Sequence, residues 1–231
     1  MIRRTKIVAT LGPACSDAKT LDRMMEAGLD VVRLNFSHGT AQDHIDRAEL
    51  VRSLARARGR AVGVLVDLQG PKIRIGKFKD NKITLAKGDT FILDAACTLG
   101  DQTRVGLDYK ELPNDVKRGV TLLLDDGRIE FWVEEVKGTE IICKVVQGGA
   151  LSNNKGINRK GGGLSAAALT EKDIEDIKTA AALKADYLAV SFPRSGADMR
   201  QARELLRAAG GKSQLVAKIE RTEAIEHLEE I

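Results

Sequence analysis

Apolar positions along this chain keep two different rhythms, and the rhythm switches twice. Residues 6–11 form an extended apolar run, after which Ser16 or Asp17 caps a predicted helix with Leu21, Met24 and Met25 at helical spacing, closed by Gly28. Residues 31–34 predict a second strand. Thr40 opens a longer helix with Ile45, Ala48, Val51, Leu54 and Ala55 inward, ended by Gly59. Residues 61–66 predict a third strand whose apolar run is almost unbroken, the signature of a strand covered on both faces in a parallel sheet.

After Gly70-Pro71 no strong helical period remains until Gly163. Short strands are predicted at 83–85, 91–93, 120–124, 129–133 and 141–146. Asp125-Asp126-Gly127 and Lys137-Gly138-Thr139 supply turns between the last three. The strand–helix rhythm then returns: Thr170 with Asp173 caps a helix carrying Ile174, Ile177 and Ala181, and 187–191 is a strand. A helix over 197–209 and a strand over 215–218 follow, and Thr222 opens a helix expected to run on to Ile231. The organisation expected is therefore α/β over 1–71 and 164–231, interrupted by a small all-β domain over 72–163.

Composition narrows the class without fixing the chemistry. With 43% apolar and 30% charged residues, the chain reads as a globular protein whose few aromatics leave the core to Val, Ile, Leu and Ala. A net charge of +4 is mild, and no stretch interleaves basic with aromatic residues, so nucleic acid gains little support as a partner. Cys15, Cys97 and Cys143 are odd in number and widely spaced, which points to reduced thiols in a cytoplasmic protein. No run approaches the ~20 apolar residues of a membrane helix, so no membrane partner is expected.

The chemistry concentrates at strand ends. Strand two runs into Arg33-Leu34-Asn35-Phe36-Ser37-His38-Gly39, and strand three into Asp67-Leu68-Gln69-Gly70-Pro71-Lys72-Ile73-Arg74. Alternation puts Arg33, Asn35 and, if the chain stays extended, Ser37 on one face, with Leu34 and Phe36 on the other. A guanidinium beside hard oxygen ligands suits a metal-bound phosphate. Lys218 and Glu220 share parity after strand five, where an ammonium can stabilise developing negative charge and a carboxylate can hold a divalent cation. Taken alone, each has a plainer reading. Lys218-Glu220 is a surface pair, Arg33 a strand-end arginine paired with a helix carboxylate, Asn35-Ser37 a turn and a cap, and Asn153-Asn154-Lys155-Gly156 a turn. The run Arg52, Arg56, Arg58, Arg60 reads as a solvated helix face. Neither a Walker A loop nor a G-x-G-x-x-G fingerprint is present.

Together these segments, with Ala217-Lys218-Ile219-Glu220, closely resemble the pyruvate kinase family over essentially the whole chain. The resemblance implies an incomplete (β/α)8 TIM barrel, five strands of eight, with the β domain inserted as a lid after the third strand. It implies Mg²⁺-dependent (or Mn²⁺-dependent) phosphoryl transfer from phosphoenolpyruvate to ADP, giving pyruvate and ATP, within a cytoplasmic homotetramer. By resemblance Lys218 is the catalytic lysine, Arg33 contacts the transferred phosphoryl group and Glu220 is a magnesium carboxylate. Asn35, Ser37, Asp67 and the Leu68 carbonyl would surround a monovalent cation. Arg74 and the lid residue Lys155 would reach the nucleotide, with His38 and Ser191 lying near the substrate.

One departure stands out. Potassium-requiring members resemble Gly-Pro-Glu-Ile-Arg where this chain has Gly70-Pro71-Lys72-Ile73-Arg74. A fixed ammonium at Lys72 would replace the recruited cation, so K⁺ is not expected to be required. The family's second magnesium carboxylate has no counterpart in this sequence, so these 231 residues alone are expected to show little or no turnover. Two rivals remain: a phosphoenolpyruvate- or pyruvate-handling metal-dependent lyase barrel, and a non-catalytic binding or assembly module.

Overall fold

The structure is a computed structural model and describes residues 3–231. In chain order, β1 (Val8–Thr10), α1 (Ala18–Glu26), β2 (Val31–Asn35), α2 (Ala41–Ala57) and β3 (Gly63–Asp67) come first. Next are β4 (Lys82–Leu85), β5 (Thr90–Asp94), β6 (Arg104–Val105), α3 (Leu112–Asp115), β7 (Thr121–Leu124), β8 (Ile129–Lys137), β9 (Glu140–Gln147), β10 (Gly149–Ser152) and β11 (Ile157–Arg159). The last are α4 (Glu171–Ala182), β12 (Tyr187–Val190), α5 (Gly196–Ala208), β13 (Gln214–Ala217) and α6 (Thr222–Glu226). Two compact units result: the residues up to Pro71 together with Ala167–Ile231, and Lys72–Ala166.

The first unit is a five-stranded parallel sheet in the order β1-β2-β3-β12-β13. Its register sets Val32 beside Val64 and Leu188 beside Val66, a layer that packs with Leu21, Met25, Ala48, Val51, Ile177 and Ala202 from the helices. Helix starts follow the sequence signals. Asp17 caps α1, and Thr40/Asp43 and Thr170/Asp173 form complete capping boxes on α2 and α4.

Several expectations need correction. The arginine run is not simply a solvated face. Arg52 donates to the carbonyls of Leu183 and Lys184, and Arg60 to those of Met25 and Leu29, so each cation binds carbonyls where α4 and α1 end. Arg58 pairs with Asp22. On α2 it is His44, with Ala48, Val51 and Ala55, that is fully buried, while Ile45 and Leu54 are only partly covered. Helix α6 starts from Arg221 as its cap and stops at Glu226 instead of continuing to Ile231. Only Ala224 is buried there, Ile225 and Leu228 are exposed, and acidic side chains at positions 226, 229 and 230 oppose the helix dipole.

The second unit holds a six-stranded sheet, β11-β7-β8-β9-β5-β6, antiparallel except for the β5–β6 pair, and a two-stranded β10-β4 ribbon. Asp125, Asp126 and Gly127 all adopt positive φ in the β7–β8 connection, and Gly138 does so between β8 and β9. Phe91, Leu122, Leu124, Phe131, Val133 and Ile141 fill its core. The short elements β6, β10, β11 and α3 carry no sequence periodicity. They exist because β4, β5 and β7 offer them edges and because Pro113 sits in the first turn of α3.

His44 connects α2 to the end of β2. Its ring stacks on Phe36 (centroids 4.0 Å apart, 13° between planes), and Nε2 lies 2.9 Å from the His38 carbonyl. A carbonyl only accepts, so Nε2 carries the proton, while buried Nδ1 has no partner among the described residues. Burial holds the imidazole below its ordinary value of 6.5, only partly offset by the His38 carbonyl. A depressed histidine stabilises the fold above its unfolded pKa, and this contribution is lost as pH falls through the lower folded value. His44→Gln, which keeps a donor and cannot titrate, should lose less stability than the parent between pH 7 and about pH 5, as read from urea midpoints.

Candidate active site

Strand alternation builds the site. In β2, Val32, Leu34 and the following Phe36 are buried, while Arg33 and Asn35 stand on the opposite, half-buried face. Parallel pairing sets Thr10 of β1 beside Arg33 and Asn35 beside Asp67, the last residue of β3. Lys218 and Glu220 follow immediately on β13, whose Ala217 pairs with Val190 of β12.

Asp67 is the centre of this constellation. Its side chain is only 4% exposed, yet both oxygens carry a cation. Arg33 Nε donates to Oδ2 at 2.7 Å and Nη2 donates to the same oxygen, while Lys218 Nζ donates to Oδ1 at 3.0 Å. The third arm of Arg33, Nη1, donates to Thr10 Oγ1 at 2.9 Å. Lys218 also lies 3.7 Å from Glu220 Oε1, and Glu220 Oε2 accepts the Phe192 backbone N–H at 3.2 Å. The side chains of Arg33, Lys218 and Glu220 remain 31%, 29% and 35% exposed. One buried anion thus holds two cations in place while each keeps a face toward solvent, an arrangement suited to an incoming polyanion.

The other expected residues divide. Extended chain does not continue to Ser37. Asn35 Oδ1 accepts the Ser37 N–H at 3.1 Å, closing a turn, and the His38 N–H is 3.3 Å from the Asn35 carbonyl. The plainer turn geometry is what forms there, although Thr40 and not Ser37 caps the helix. His38 is exposed and its carbonyl holds His44. Ser191 is buried and caps no helix. Its hydroxyl donates to the Leu68 carbonyl at 2.6 Å.

Within the second unit, Arg74 and Lys155 sit on adjacent chain segments: Ile75 N–H donates to the Lys155 carbonyl, and Arg74 Nη1 to the Asn154 carbonyl. Lys155 Nζ pairs with Asp125 at 2.7 Å. Lys72 is exposed, and its side chain runs beside Gly156, where an added methyl would stand 3.7 Å from Lys72 Cε.

Three contacts were not read from the sequence. Thr10 braces Arg33, and its signal was strand parity in β1. Lys172 of α4 donates to the Phe36 carbonyl at 2.8 Å, supporting the turn after β2. Phe192 adopts φ 56°, unusual for an aromatic residue, and in that conformation its N–H meets Glu220. No local pattern marks either of the last two.

The family description "Pyruvate kinase, barrel domain" matches residues 2–231. The chain is 57% identical over 226 residues to the pyruvate kinase of Haemophilus influenzae and 56% identical to pyruvate kinase II of Salmonella typhimurium, covering 97% of this chain and 47% of each relative. It is 46% identical to the pyruvate kinase of Mycobacterium intracellulare, covering 100% of this chain and 49% of that protein. The chain therefore spans about half the length of the curated relatives it matches. Whole-length matching at this identity, together with the fold and the charged cluster at the sheet's carboxyl end, shows that the chain belongs to the pyruvate kinase family.

Proposed function

We propose that the protein carrying this chain transfers a phosphoryl group from phosphoenolpyruvate to ADP, giving pyruvate and ATP. The observation that carries this reading is the Arg33–Asp67–Lys218 cluster with Glu220 beside it. As the bond from phosphorus to the enol oxygen breaks and the bond to the ADP oxygen forms, charge spreads over the phosphoryl oxygens. Arg33 and Lys218 are the groups that neutralise it. Lys218 then stabilises the enolate oxygen left behind, and protonation of the enolate carbon gives pyruvate. Fixed on Asp67, both cations need little reorganisation as charge develops.

Glu220 fits a divalent cation as a single ligand. One of its oxygens accepts a backbone N–H, the other is 3.7 Å from Lys218, and the group stays solvent-accessible. Among the described residues no group of three or more His, Cys, Asp or Glu could hold a metal. Phosphate oxygens and water would complete the shell, as is usual for Mg²⁺. When bound, Mg²⁺ or Mn²⁺ supplies positive charge against the transferring oxygens. In the other unit, neighbouring Arg74 and Lys155 are read as nucleotide-phosphate residues, supported by the family match. Asn35, Ser37, Asp67 and the Leu68 carbonyl are read as the monovalent-cation region and Lys72 as a built-in substitute for K⁺, supported by the lysine that replaces the family's glutamate. His38 and Ser191 are read as neighbours of the substrate. Free Cys15, Cys97 and Cys143 accord with a cytoplasmic enzyme, and the family points to a homotetramer. No helix among the described residues is long and apolar enough to cross a membrane.

Two measurements on the whole protein in which this chain occurs test the reading. Pyruvate formation should require ADP, and Lys218→Met should lower kcat by about 10²–10³-fold, as expected for loss of a charge-stabilising group. ADP-independent turnover would instead favour a lyase. Replacing a bulky organic cation with K⁺ at constant ionic strength should change the rate less than about twofold, and Lys72→Glu should create a K⁺ requirement.

A further inference from the structure

Asp173 is completely buried, and its carboxylate does more than cap a helix. Oδ2 accepts the Thr170 N–H at 2.8 Å and the Thr170 hydroxyl at 2.7 Å, the return half of the α4 capping box. Oδ1 instead reaches 103 residues back along the chain and accepts the buried Gly70 N–H at 3.0 Å. Gly70 ends the segment that follows β3, immediately before Pro71, where the chain leaves the first unit. Thr170 lies three residues after that unit resumes at Ala167. One carboxylate therefore binds both the outgoing and the returning chain.

Gly70 also has little freedom on its other side. It adopts φ +63°, and a Cβ there would stand 2.7 Å from Ser191 Cβ and 3.0 Å from Phe192 Cδ2. Ser191 Oγ holds the Leu68 carbonyl, and the Phe192 N–H holds Glu220. The segment 68–70 is thus fixed by Asp173 on one side and by Ser191-Phe192 on the other. Its first residue directly follows Asp67, the anion that carries Arg33 and Lys218.

We propose that Asp173 is a positioning residue for the site: it locks the 68–70 segment against Ser191-Phe192 and ties both chain crossings to the parallel-sheet unit. Asp67 and the Leu68 carbonyl are thereby held in place. The bonding part of this proposal is independent of the reaction assigned above. Its consequence for turnover rests on that assignment.

Amide hydrogen exchange separates the two. In the unaltered protein both amides donate to the buried Asp173 carboxylate, so the Gly70 amide, the more buried of the two, should be protected at least about as well as that of Thr170. A Gly70 amide exchanging a hundredfold faster would overturn the proposal without any substitution. Asp173→Glu retains a side chain that suits the capping box with Thr170, but its extra methylene moves the carboxylate in a fully buried position. It should raise Gly70 exchange at least about tenfold with α4 still protected, and Asp173→Asn should do so too. Thr170→Ala should loosen the first turn of α4 and leave Gly70 protected. Identical exchange patterns in Thr170→Ala and Asp173→Glu would reduce Asp173 to a helix cap and sink the idea. In the whole enzyme Asp173→Glu should lower kcat more than it raises KM, with Thr170→Ala doing neither. If exchange behaves as described but kinetics are unmoved, the anchor stands and its catalytic role is rejected. If no variant and no parent protein turns over phosphoenolpyruvate, the reaction assignment fails instead.

Discussion

A carboxylate that is 4% exposed between two cations is the constraint on which the rest of the site depends. Burying a lone carboxylate is costly, and removing one partner of a buried pair leaves that cost uncompensated. Asp67 avoids this by giving each oxygen its own cation, Arg33 from β2 and Lys218 from just beyond β13. The same bonds hold the two cations close together despite their mutual repulsion. The structure thereby concentrates positive charge at the carboxyl end of a parallel sheet, where ligands bind in α/β folds. The chain's modest net charge of +4 bears little on this, because the field at the site is set by these local placements.

That centre is supported by contacts from elements distant in sequence. Thr10 fixes the free arm of Arg33, Lys172 holds the turn after β2, and Ser191 holds the carbonyl next to Asp67. Each is a hydrogen bond to a group that would otherwise be free to rotate or to bind water. Together they leave Arg33 and Lys218 few alternative positions, the condition for charge stabilisation without reorganisation.

Much of the fold was legible because local and tertiary signals agree. Thr40 and the Thr170/Asp173 pair announce helix starts, and the 61–66 apolar run announces a parallel strand, although Val64 and Val66 are buried while Gly63 and Leu65 on the other face are only half-buried. Elements whose existence depends on a partner were not legible. β10 carries a glycine and β11 only three residues, and each is a strand because an edge of β4 or β7 accepts it. Helix α6 was overextended because propensity alone ignores that it buries a single alanine. For the site, parity correctly put Arg33 and Asn35 on one face, since alternation is a backbone property. It could not show that Asp67 is shared by two cations, or that Arg52 and Arg60 cap distant helices. Those depend on register and side-chain reach across more than thirty residues of chain. The sequence resemblance carried the assignment of roles, and the geometry supplied the reason those residue types stand together.

The central claim, that Arg33 and Lys218 are coupled through Asp67, is tested most directly by a double-mutant cycle on unfolding free energy. Arg33→Met and Lys218→Met each leave Asp67 one partner, whereas the double variant leaves a buried carboxylate with neither. The account predicts that the double variant loses at least about 1 kcal/mol more than the sum of the two single losses. Additivity within about 0.5 kcal/mol would mean that the two cations are held independently and that Asp67 is not the shared anchor described here.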